Sequence, residues 1–232
     1  MENSYDSYKS TATSSVLSTV MRKVYVRMFL ALVVTAFTAL YVASSPALLT
    51  TILGSRAIFF GLMIAELAVV FVLSGMLHKL STATATLLFY LYAILNGVVF
   101  SSIFVVYELG SIAYTFFITA GVFGAMSVYG LVTKNDMTRF GSYCVMALFG
   151  LIIATVVNIF VANSTLDWII SFVGVALFIG LTAWDTQKIK NAAYEVEPSQ
   201  MGKLATIGAL SLYLDFINLF LYLLRFFGRS ND

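Results

Sequence analysis

Three acidic side chains lie inside long apolar stretches of this 232-residue sequence: Glu66, Asp185 and Asp215. An ionised acid at the depth of a bilayer costs about 2.5–3.5 kcal/mol on insertion scales. No lysine or arginine lies deep in the same stretches to neutralise them. Each acid must therefore be protonated, share a proton with another acid, or bind a cation. The chemistry that these residue types allow is the binding of protons and cations inside a membrane.

A polar stripe surrounds the last of these acids. Gly208, Ser211, Asp215, Asn218 and Tyr222 recur at steps of three and four residues, which places them on one face of a helix. The residues around the stripe are almost all apolar. The pattern predicts either the wall of a polar cavity or a hydrogen-bonded seam between helices, although serine and asparagine would suffice for a seam.

The other two acids have different sequence surroundings. Asp185 has Thr182 before it and Lys188 after it on about the same helical face, so it is expected in an intramembrane site or as an interfacial carboxylate tied to Lys188. Glu66 has no polar neighbour on its own helix and must be satisfied by another helix or be protonated. The single cysteine, Cys144, is expected to be a buried packing residue.

The composition indicates which elements position these residues. The chain is 60 % hydrophobic and 10 % charged, whereas an ordinary soluble domain is about 45–50 % apolar and about 25 % charged. This excludes soluble, disordered, fibrous and disulfide-stapled classes, and the net charge of +2 does not indicate a nucleic-acid partner. Stretches long enough to cross a bilayer as helices occur at residues 25–44, 57–77, 83–106, 111–133, 141–162, 166–187 and 204–227.

The sequence therefore predicts an all-α integral membrane protein. A flexible polar tail at residues 1–20 is expected to precede a single bundle of seven transmembrane helices at residues 21–232. The longest connection is expected at residues 188–203, in water. His78 is expected at the membrane interface.

The distribution of lysine and arginine predicts a cytoplasmic N-terminus. In that orientation ten of the thirteen basic residues lie inside, and only Arg56, Arg225 and Arg229 lie outside. The last two arginines fit poorly on the outer side. A seventh segment that re-enters the membrane instead of crossing it stays open as an alternative.

Two motifs resemble the Bax inhibitor-1 family of transmembrane proteins. The stretch LSLYLDFINLF at residues 210–220, followed by LLRFFG at residues 223–228, resembles the last helix of that family. The stretch GLTAWDTQKI at residues 180–189 resembles its sixth helix. The seven-span layout and Asn96-Gly97 in the third span are also similar, so the resemblance covers the chain after the tail.

The resemblance implies a pH-sensitive calcium leak across the membrane. It implies an aspartate pair between the last two helices, matched here by Asp185 and Asp215, with the last helix near the centre of the bundle. Glu66 matches by context an acid of some relatives and is a candidate pore acid. The short ending GRSND favours a bacterial-type member in the plasma (inner) membrane. The supporting polar residues are Ser211, Asn218, Tyr222 and Thr182.

The chemistry of two close carboxylates agrees with this expectation. In a low-dielectric interior they cannot both stay ionised without a counter-charge, so the pair shares a proton. Deprotonated, the pair offers the hard oxygen ligands that Ca²⁺ prefers. Asp185 and Asp215 are thus expected to bind Ca²⁺ transiently, as the permeant ion, in a passive leak that tightens as cytoplasmic pH falls. The expected partners are the lipid bilayer, Ca²⁺ and protons, with no cofactor.

Rival functions find less support in the residues. An intramembrane aspartyl protease would need a Tyr-Asp pair and a Gly-x-Gly-Asp motif, whereas Asp215 follows Leu214, so no enzyme is expected. A retinal protein would need a lysine inside the seventh span. The alternative that stays open is a non-transporting interaction protein that modulates a membrane quality-control protease or a stress response.

Overall fold

The computed structural model describes residues 2–76 and 79–231, and the side chains of residues 15–75 and 79–231. His78 lies outside the described residues, so its expected interfacial position stays a prediction. The described part is almost entirely helical. Its helices are α1 (Glu2–Ala43), α2 (Pro46–Gly54), α3 (Arg56–Met76), α4 (Thr82–Phe100), α5 (Ile103–Val106), α6 (Leu109–Val132), α7 (Thr138–Val161), α8 (Ser164–Glu195) and α9 (Met201–Phe227).

Seven helical segments within the described residues are long and apolar enough to cross a membrane. This confirms the predicted fold class and the number of spans. Hydropathy works well here because only helices and closed barrels satisfy every backbone polar group in hydrocarbon. The seven segments are Ser15–Ala43, Arg56–Gly75, Thr82–Val106, Leu109–Val132, Thr138–Val161, Ser164–Glu195 and Pro198–Phe227.

Three details differ from the predicted layout. The first connection contains a short helix, α2, which begins with Pro46 at a position where proline is well tolerated. The predicted water-exposed connection at residues 188–203 is wrong in extent, because α8 continues to Glu195 and a 3₁₀ turn at Pro198–Gln200 leads directly into α9. The bounds of α1 include residues of the expected tail, whose flexibility stays a prediction.

The chain divides into two compact groups of residues, and the first comprises residues 1–106 and 189–210. In this group α4 packs against α1 and α3, and α2 packs against α1 and α3. The hydroxyl of Thr35 on α1 donates to the carbonyl oxygen of Ala93 on α4 at 2.9 Å. A Cβ atom added at Gly97 would lie 2.6 Å from Thr38 Cβ, so the missing side chain lets the two helices approach.

An arginine fixes the start of α9 within this first group. Arg27 Nη1 donates to the carbonyl oxygen of Gly202 and to Thr206 Oγ1, both at 2.6 Å. Thr206 Oγ1 also lies 3.1 Å from Thr86 Oγ1 of α4. Sequence reasoning counted Arg27 only as a positive charge of the N-terminal tail. In the structure its half-buried side chain connects α1 to the first turns of α9.

The second group comprises residues 107–188 and 211–232. Its core includes edge-to-face aromatic contacts between α6 and α9, with ring centroids 5.3 Å apart for Phe116 and Phe216 and 5.4 Å apart for Phe123 and Phe216. Among the candidate spans of the described residues, the seventh has the largest buried share, 67 % of its most apolar stretch, against 6 % for the second. The central position expected for the last helix stays a prediction.

Contacts at the end of α9 show how the structure accommodates Arg225 and Arg229, which fit poorly on the outer side of the membrane. Arg225 Nη1 lies 2.7 Å from Asp167 Oδ1 in the first turn of α8. The Glu108 backbone N–H, just before α6, donates to the Arg229 carbonyl oxygen at 2.9 Å. The C-terminal end of α9 thus lies beside the beginnings of α6 and α8. The continuous helix of 27 residues is long and apolar enough to cross a membrane, which favours a crossing over the re-entrant alternative, and the side of the C-terminus stays a prediction.

The third span is interrupted near its end. After Phe100 the helix gives way to a turn at Ser101 and Ser102, before the short helix α5. The Ser101 hydroxyl donates to the Val98 carbonyl oxygen at 2.7 Å, and the Ser102 hydroxyl donates to the Val99 carbonyl oxygen at 2.8 Å. The serine side chains thus supply hydrogen bonds to carbonyl groups at the break, as is common where transmembrane helices deviate from regular geometry.

The contact between α1 and α4 should depend on Gly97. Replacing Gly97 by alanine would place a methyl group against Thr38 and the Thr35 carbonyl oxygen, and such overpacking costs about 1–3 kcal/mol. We expect a lower melting temperature for the detergent-solubilised variant. Gly61→Ala is the matched control, because nothing lies within 4 Å of an added Cβ there. Equal melting temperatures for the two variants would contradict the close approach.

Candidate functional site

The candidate site is centred on Asp215, in the most apolar surroundings that any acid of the second group has. Its side chain lies in the middle of α9 and is 4 % exposed. The Oδ2 atom is buried and has no hydrogen-bond partner among the described residues. An unpartnered carboxylate oxygen away from water is unfavourable, because the charged form loses hydration that nothing replaces. Among the described residues of the second group, the Ser127 hydroxyl oxygen is the other buried side-chain oxygen without a partner, but it carries no charge.

A second carboxylate faces Asp215 from the neighbouring helix. Asp185 on α8 is half-buried, and the two carboxyl groups are close enough to interact electrostatically. The structure therefore brings together the two aspartates of the predicted pair. Lys188, one turn further along α8, interacts with Asp185, and its Nζ atom lies 4.9 Å from the centre of the Trp184 ring. Asp185 thus interacts electrostatically with both Asp215 and Lys188, and its role in an intramembrane site stays a prediction.

Glycines on two other helices fix the segment of α8 that carries Asp185. A Cβ atom added at Gly130 of α6 would collide with the Ala183 carbonyl oxygen. A Cβ atom added at Gly141 of α7 would collide with the Trp184 ring. Small residues allow helices to approach closely in membranes, where packing takes the place of a hydrophobic driving force. Residues 183–186 are therefore held by α6 on one side and by α7 on another.

Cys144 is a site residue that sequence reasoning assigned only to packing. It lies on α7, is 7 % exposed, and interacts electrostatically with Asp215. Its Sγ atom also approaches Gly180 of α8, 3.4 Å from where a Cβ would stand. The expected burial is confirmed, but the electrostatic interaction with Asp215 joins residues far apart in the chain, and the sequence carried no signal for it. Helices α7, α8 and α9 thus each contribute one polar group to the site.

The end of α8 beyond Asp185 is anchored to the connection between α6 and α7. The buried Gln187 side chain accepts from the Met137 N–H at 2.9 Å and donates to the Asn135 carbonyl oxygen at 2.8 Å. In the same connection Asp136 Oδ1 accepts from the hydroxyl of Thr138 at 2.6 Å and from its N–H at 2.9 Å. These two hydrogen bonds hold the pKa of the Asp136 carboxyl below its ordinary value.

The polar stripe of α9 is used mainly for packing and local hydrogen bonds. Asn218 donates to the Leu214 carbonyl oxygen of its own helix at 2.8 Å. Tyr222 stacks on Phe178 of α8 with ring centroids 5.9 Å apart, and its hydroxyl makes a side-chain hydrogen bond with Thr155 of α7. Gly208 packs in the first group, against Val24 and Ile189. For these residues the stripe is a helix–helix seam, and Asp215 is the exception within it.

The two remaining members of the predicted set flank the aspartates. Thr182 is fully buried on α8 and donates its hydroxyl to the Phe178 carbonyl oxygen at 2.7 Å. Ser211 is half-buried, one turn before Asp215 on α9. The supporting role that the resemblance implies for both residues stays a prediction.

Glu66 lies in the first group, where it forms a second intramembrane acid site. Its Oε1 atom is buried without a hydrogen-bond partner among the described residues. The carboxyl group interacts electrostatically with the phenol of Tyr92 on α4, which forms a side-chain hydrogen bond with Asn96. Because Oε1 has no hydrogen-bond partner among the described residues, satisfaction by another helix and protonation both stay predictions for Glu66. Its role as a pore acid stays a prediction.

A resident metal centre would need more ligands than this site offers. Where the structure describes the chain, no three histidine, cysteine, aspartate or glutamate side chains gather into a ligand set. Ca²⁺ in proteins takes six to eight oxygen ligands. The pair of Asp185 and Asp215 can supply at most four carboxylate oxygens, so water and backbone carbonyl groups must complete any shell around a passing ion.

Comparisons with known proteins match most of the chain. A family model described as "Inhibitor of apoptosis-promoting Bax1" matches residues 17–232. The inner membrane protein YbhL of Escherichia coli K12 is 49 % identical over 216 residues, which cover 92 % of each chain. A protein of Borreliella burgdorferi is 44 % identical over 215 residues, covering 91 % of this chain and 93 % of its own. An uncharacterized membrane protein of Streptococcus pyogenes serotype M3 is 40 % identical over 185 residues, with 79 % and 80 % covered.

The anchor at the end of α8 should be measurable. Gln187→Leu removes the acceptor of the Met137 N–H and leaves that buried group unsatisfied, at a cost of about 1–3 kcal/mol. We expect the melting temperature of the purified variant to fall. Gln200→Leu, at an exposed position of the 3₁₀ turn, is the matched control and should melt like the parent. An unchanged melting temperature for Gln187→Leu would show that these two hydrogen bonds do not stabilise the fold.

Proposed function

The chain belongs to the Bax inhibitor-1 family of multi-pass membrane proteins, and we propose that it forms a pH-sensitive passive leak for calcium. Protonation of Asp185 and Asp215 would close the path. The observation that carries this proposal is the buried, unpartnered Oδ2 atom of Asp215 opposite the second carboxylate. A seam that only held helices together would not need an acid there.

The two protonation states of the pair have opposite effects on the helices that carry it. With one shared proton the carboxyl groups can hydrogen-bond to each other and hold α8 and α9 together. With none, they repel each other in surroundings of low dielectric constant and present oxygen ligands to a cation. Protons and Ca²⁺ then compete for the same atoms. Flux should therefore rise as the pH rises and fall as the cytoplasm becomes acidic.

Other charged groups near the pair fit a gate better than a fixed ion site. Lys188 lies on the exposed side of Asp185 and can compensate one negative charge without reaching the buried Asp215. Cys144 faces Asp215 from α7 with a thiol that is a weak ligand for Ca²⁺. The full compensating charge for Asp215 must therefore come from a proton or a passing cation. Glu66 is proposed as a further acid along the ion path.

The proposal also covers partners and location. The protein acts without a cofactor or catalysis and moves Ca²⁺ down its gradient in the bacterial plasma membrane, with the N-terminus in the cytoplasm. The excess of basic residues on that side supports the orientation. The ion pair of Arg225 with Asp167 supports it too, because it compensates an arginine that would otherwise stand alone on the outer side.

The second candidate function is a non-transporting interaction protein that modulates a membrane quality-control protease or a stress response. The observation in its favour is the polar segment before the first span, which could bind a partner outside the bilayer. Removing residues 2–14 separates the two functions. If the protein is a leak, the truncated protein should conduct calcium like the full chain. If it is an interaction protein, the truncated protein should lose its cellular effect, and neither form should show calcium flux.

Calcium flux into dye-loaded liposomes tests the leak directly. At pH 6, 7 and 8 we expect flux through the parent protein to increase with pH. Asp215→Asn and Asp185→Asn should both lose this pH dependence, because an amide cannot titrate. Glu195→Gln, which neutralises an exposed acid at the end of the same helix as Asp185, is the matched control and should retain the parent profile. Traces equal to those of empty liposomes would reject the leak.

Reporter fusions test the proposed orientation. A green fluorescent protein at the N-terminus should fluoresce, since it folds in the cytoplasm. Alkaline phosphatase after Arg229 should be active, since seven crossings place that end in the periplasm. The reverse pair of fusions is the control. An active phosphatase at the N-terminus would overturn the orientation. The side of the membrane on which pH is proposed to control the leak would then have to be exchanged.

A further inference from the structure

An open pocket of about 610 Å³ lies in the second group, where α6 begins and α9 ends. This volume falls in the range of about 300–1,000 Å³ that is typical of small-ligand sites. Leu109 is the first residue of one candidate span and Phe227 is the last residue of another. The pocket therefore opens at the boundary between hydrocarbon and water. The lining residues that the inference uses are Glu108, Ser111, Tyr114, Phe226, Phe227 and Arg229.

One wall of the pocket is aromatic. Tyr114 and Phe227 meet edge to face with ring centroids 6.2 Å apart, and Phe226 lines the pocket next to them. Tyr114 is 60 % exposed. Tyrosine is enriched at this depth of a membrane because its amphipathic ring sits at the level of the headgroups, whereas the two phenylalanine rings are apolar and suit acyl chains. This wall can contact the glycerol and upper acyl region of a lipid.

The other wall carries two opposite charges that are not paired with each other. The Glu108 N–H donates to the Arg229 carbonyl oxygen at 2.9 Å, and the Arg229 N–H donates to Ser111 Oγ at 3.1 Å. Ser111 Oγ donates in turn to the Glu108 carbonyl oxygen at 2.9 Å. The backbones are thus fixed side by side, but the carboxylate and the guanidinium are exposed and form no ion pair with each other within 4 Å.

We propose that this pocket binds the headgroup of an ethanolamine phospholipid. The guanidinium of Arg229 would bind the phosphate, for which it is the best-suited side chain. The carboxylate of Glu108 would accept hydrogen bonds from the primary ammonium group. A choline headgroup has no N–H to donate and is best recognised by a cage of aromatic rings. A glycerol headgroup would leave the Glu108 carboxylate without a cationic partner.

Lipid retention by the purified full chain tests this site. The detergent-solubilised, delipidated protein is incubated with equal amounts of dioleoyl phosphatidylethanolamine, phosphatidylcholine and phosphatidylglycerol, and native mass spectrometry counts the bound lipids. We expect retention of the ethanolamine lipid to exceed that of the choline lipid by about two- to fivefold, which is the effect of one exposed ion pair. Glu108→Gln should abolish this preference, and Arg229→Gln should reduce retention of all three lipids.

The controls separate this site from general lipid adhesion. Glu197→Gln neutralises an exposed acid before α9 and should keep the preference. Melting temperatures establish that the variants are folded. Equal retention of the ethanolamine and choline lipids by the parent protein, or an unchanged preference in Glu108→Gln, would overturn the proposal. Preference for the glycerol lipid would mean that Arg229 binds the phosphate without a contribution from Glu108, and this would also overturn the proposal. Stabilisation by soluble O-phosphoethanolamine but not by the lipid would overturn a lipid site.

Discussion

The buried carboxyl group of Asp215 sets the main constraint on this protein. It lies in the middle of the most buried span and has one oxygen without a hydrogen-bond partner. A hydrocarbon environment supplies no water to satisfy that oxygen, so protonation or a cation must do so. The neighbouring carboxyl group of Asp185 increases the constraint, because two negative charges repel each other strongly at low dielectric constant. The helices around the pair must hold it in place against this repulsion.

Close packing through small residues meets that demand. Gly130 and Gly141 let α6 and α7 approach the segment of α8 that carries Asp185, and Gln187 anchors the end of that segment to the next connection. In the first group, Gly97 lets α4 approach α1 closely. Arg27 of α1 holds the start of α9 by a hydrogen bond. The buried hydroxyl groups of Thr182 and Thr186 donate to carbonyl oxygens of their own helix, so these two add no unsatisfied polar atoms to the contacts of α8.

The seven spans, the burial of Cys144 and the proximity of the two aspartates were all predictable. Hydropathy gave the spans because bilayer thickness fixes helix length, and motif resemblance gave the aspartate pair. The electrostatic interaction of Cys144 with Asp215 and the hydrogen bonds of Arg27 to α9 were not predictable, since they join residues far apart in the chain. The extent of α8 was misjudged because Lys188 and Lys190 resemble the start of a loop. In the structure they are part of a helix that extends beyond the apolar stretch.

The position of Trp184 has a practical consequence. The sequence contains two tryptophans; Trp168 lies near the beginning of α8, and Trp184 lies about four turns further along the same helix. Trp168 is 58 % exposed, whereas Trp184 sits against α7 at Gly141, adjacent in sequence to Asp185 and below the Lys188 ammonium group. Indole emission depends on nearby charge and polarity, so a protein with Trp168 replaced by phenylalanine would carry one intrinsic fluorophore beside the aspartate pair. Its spectrum would follow the electrostatic state of the site without any attached label.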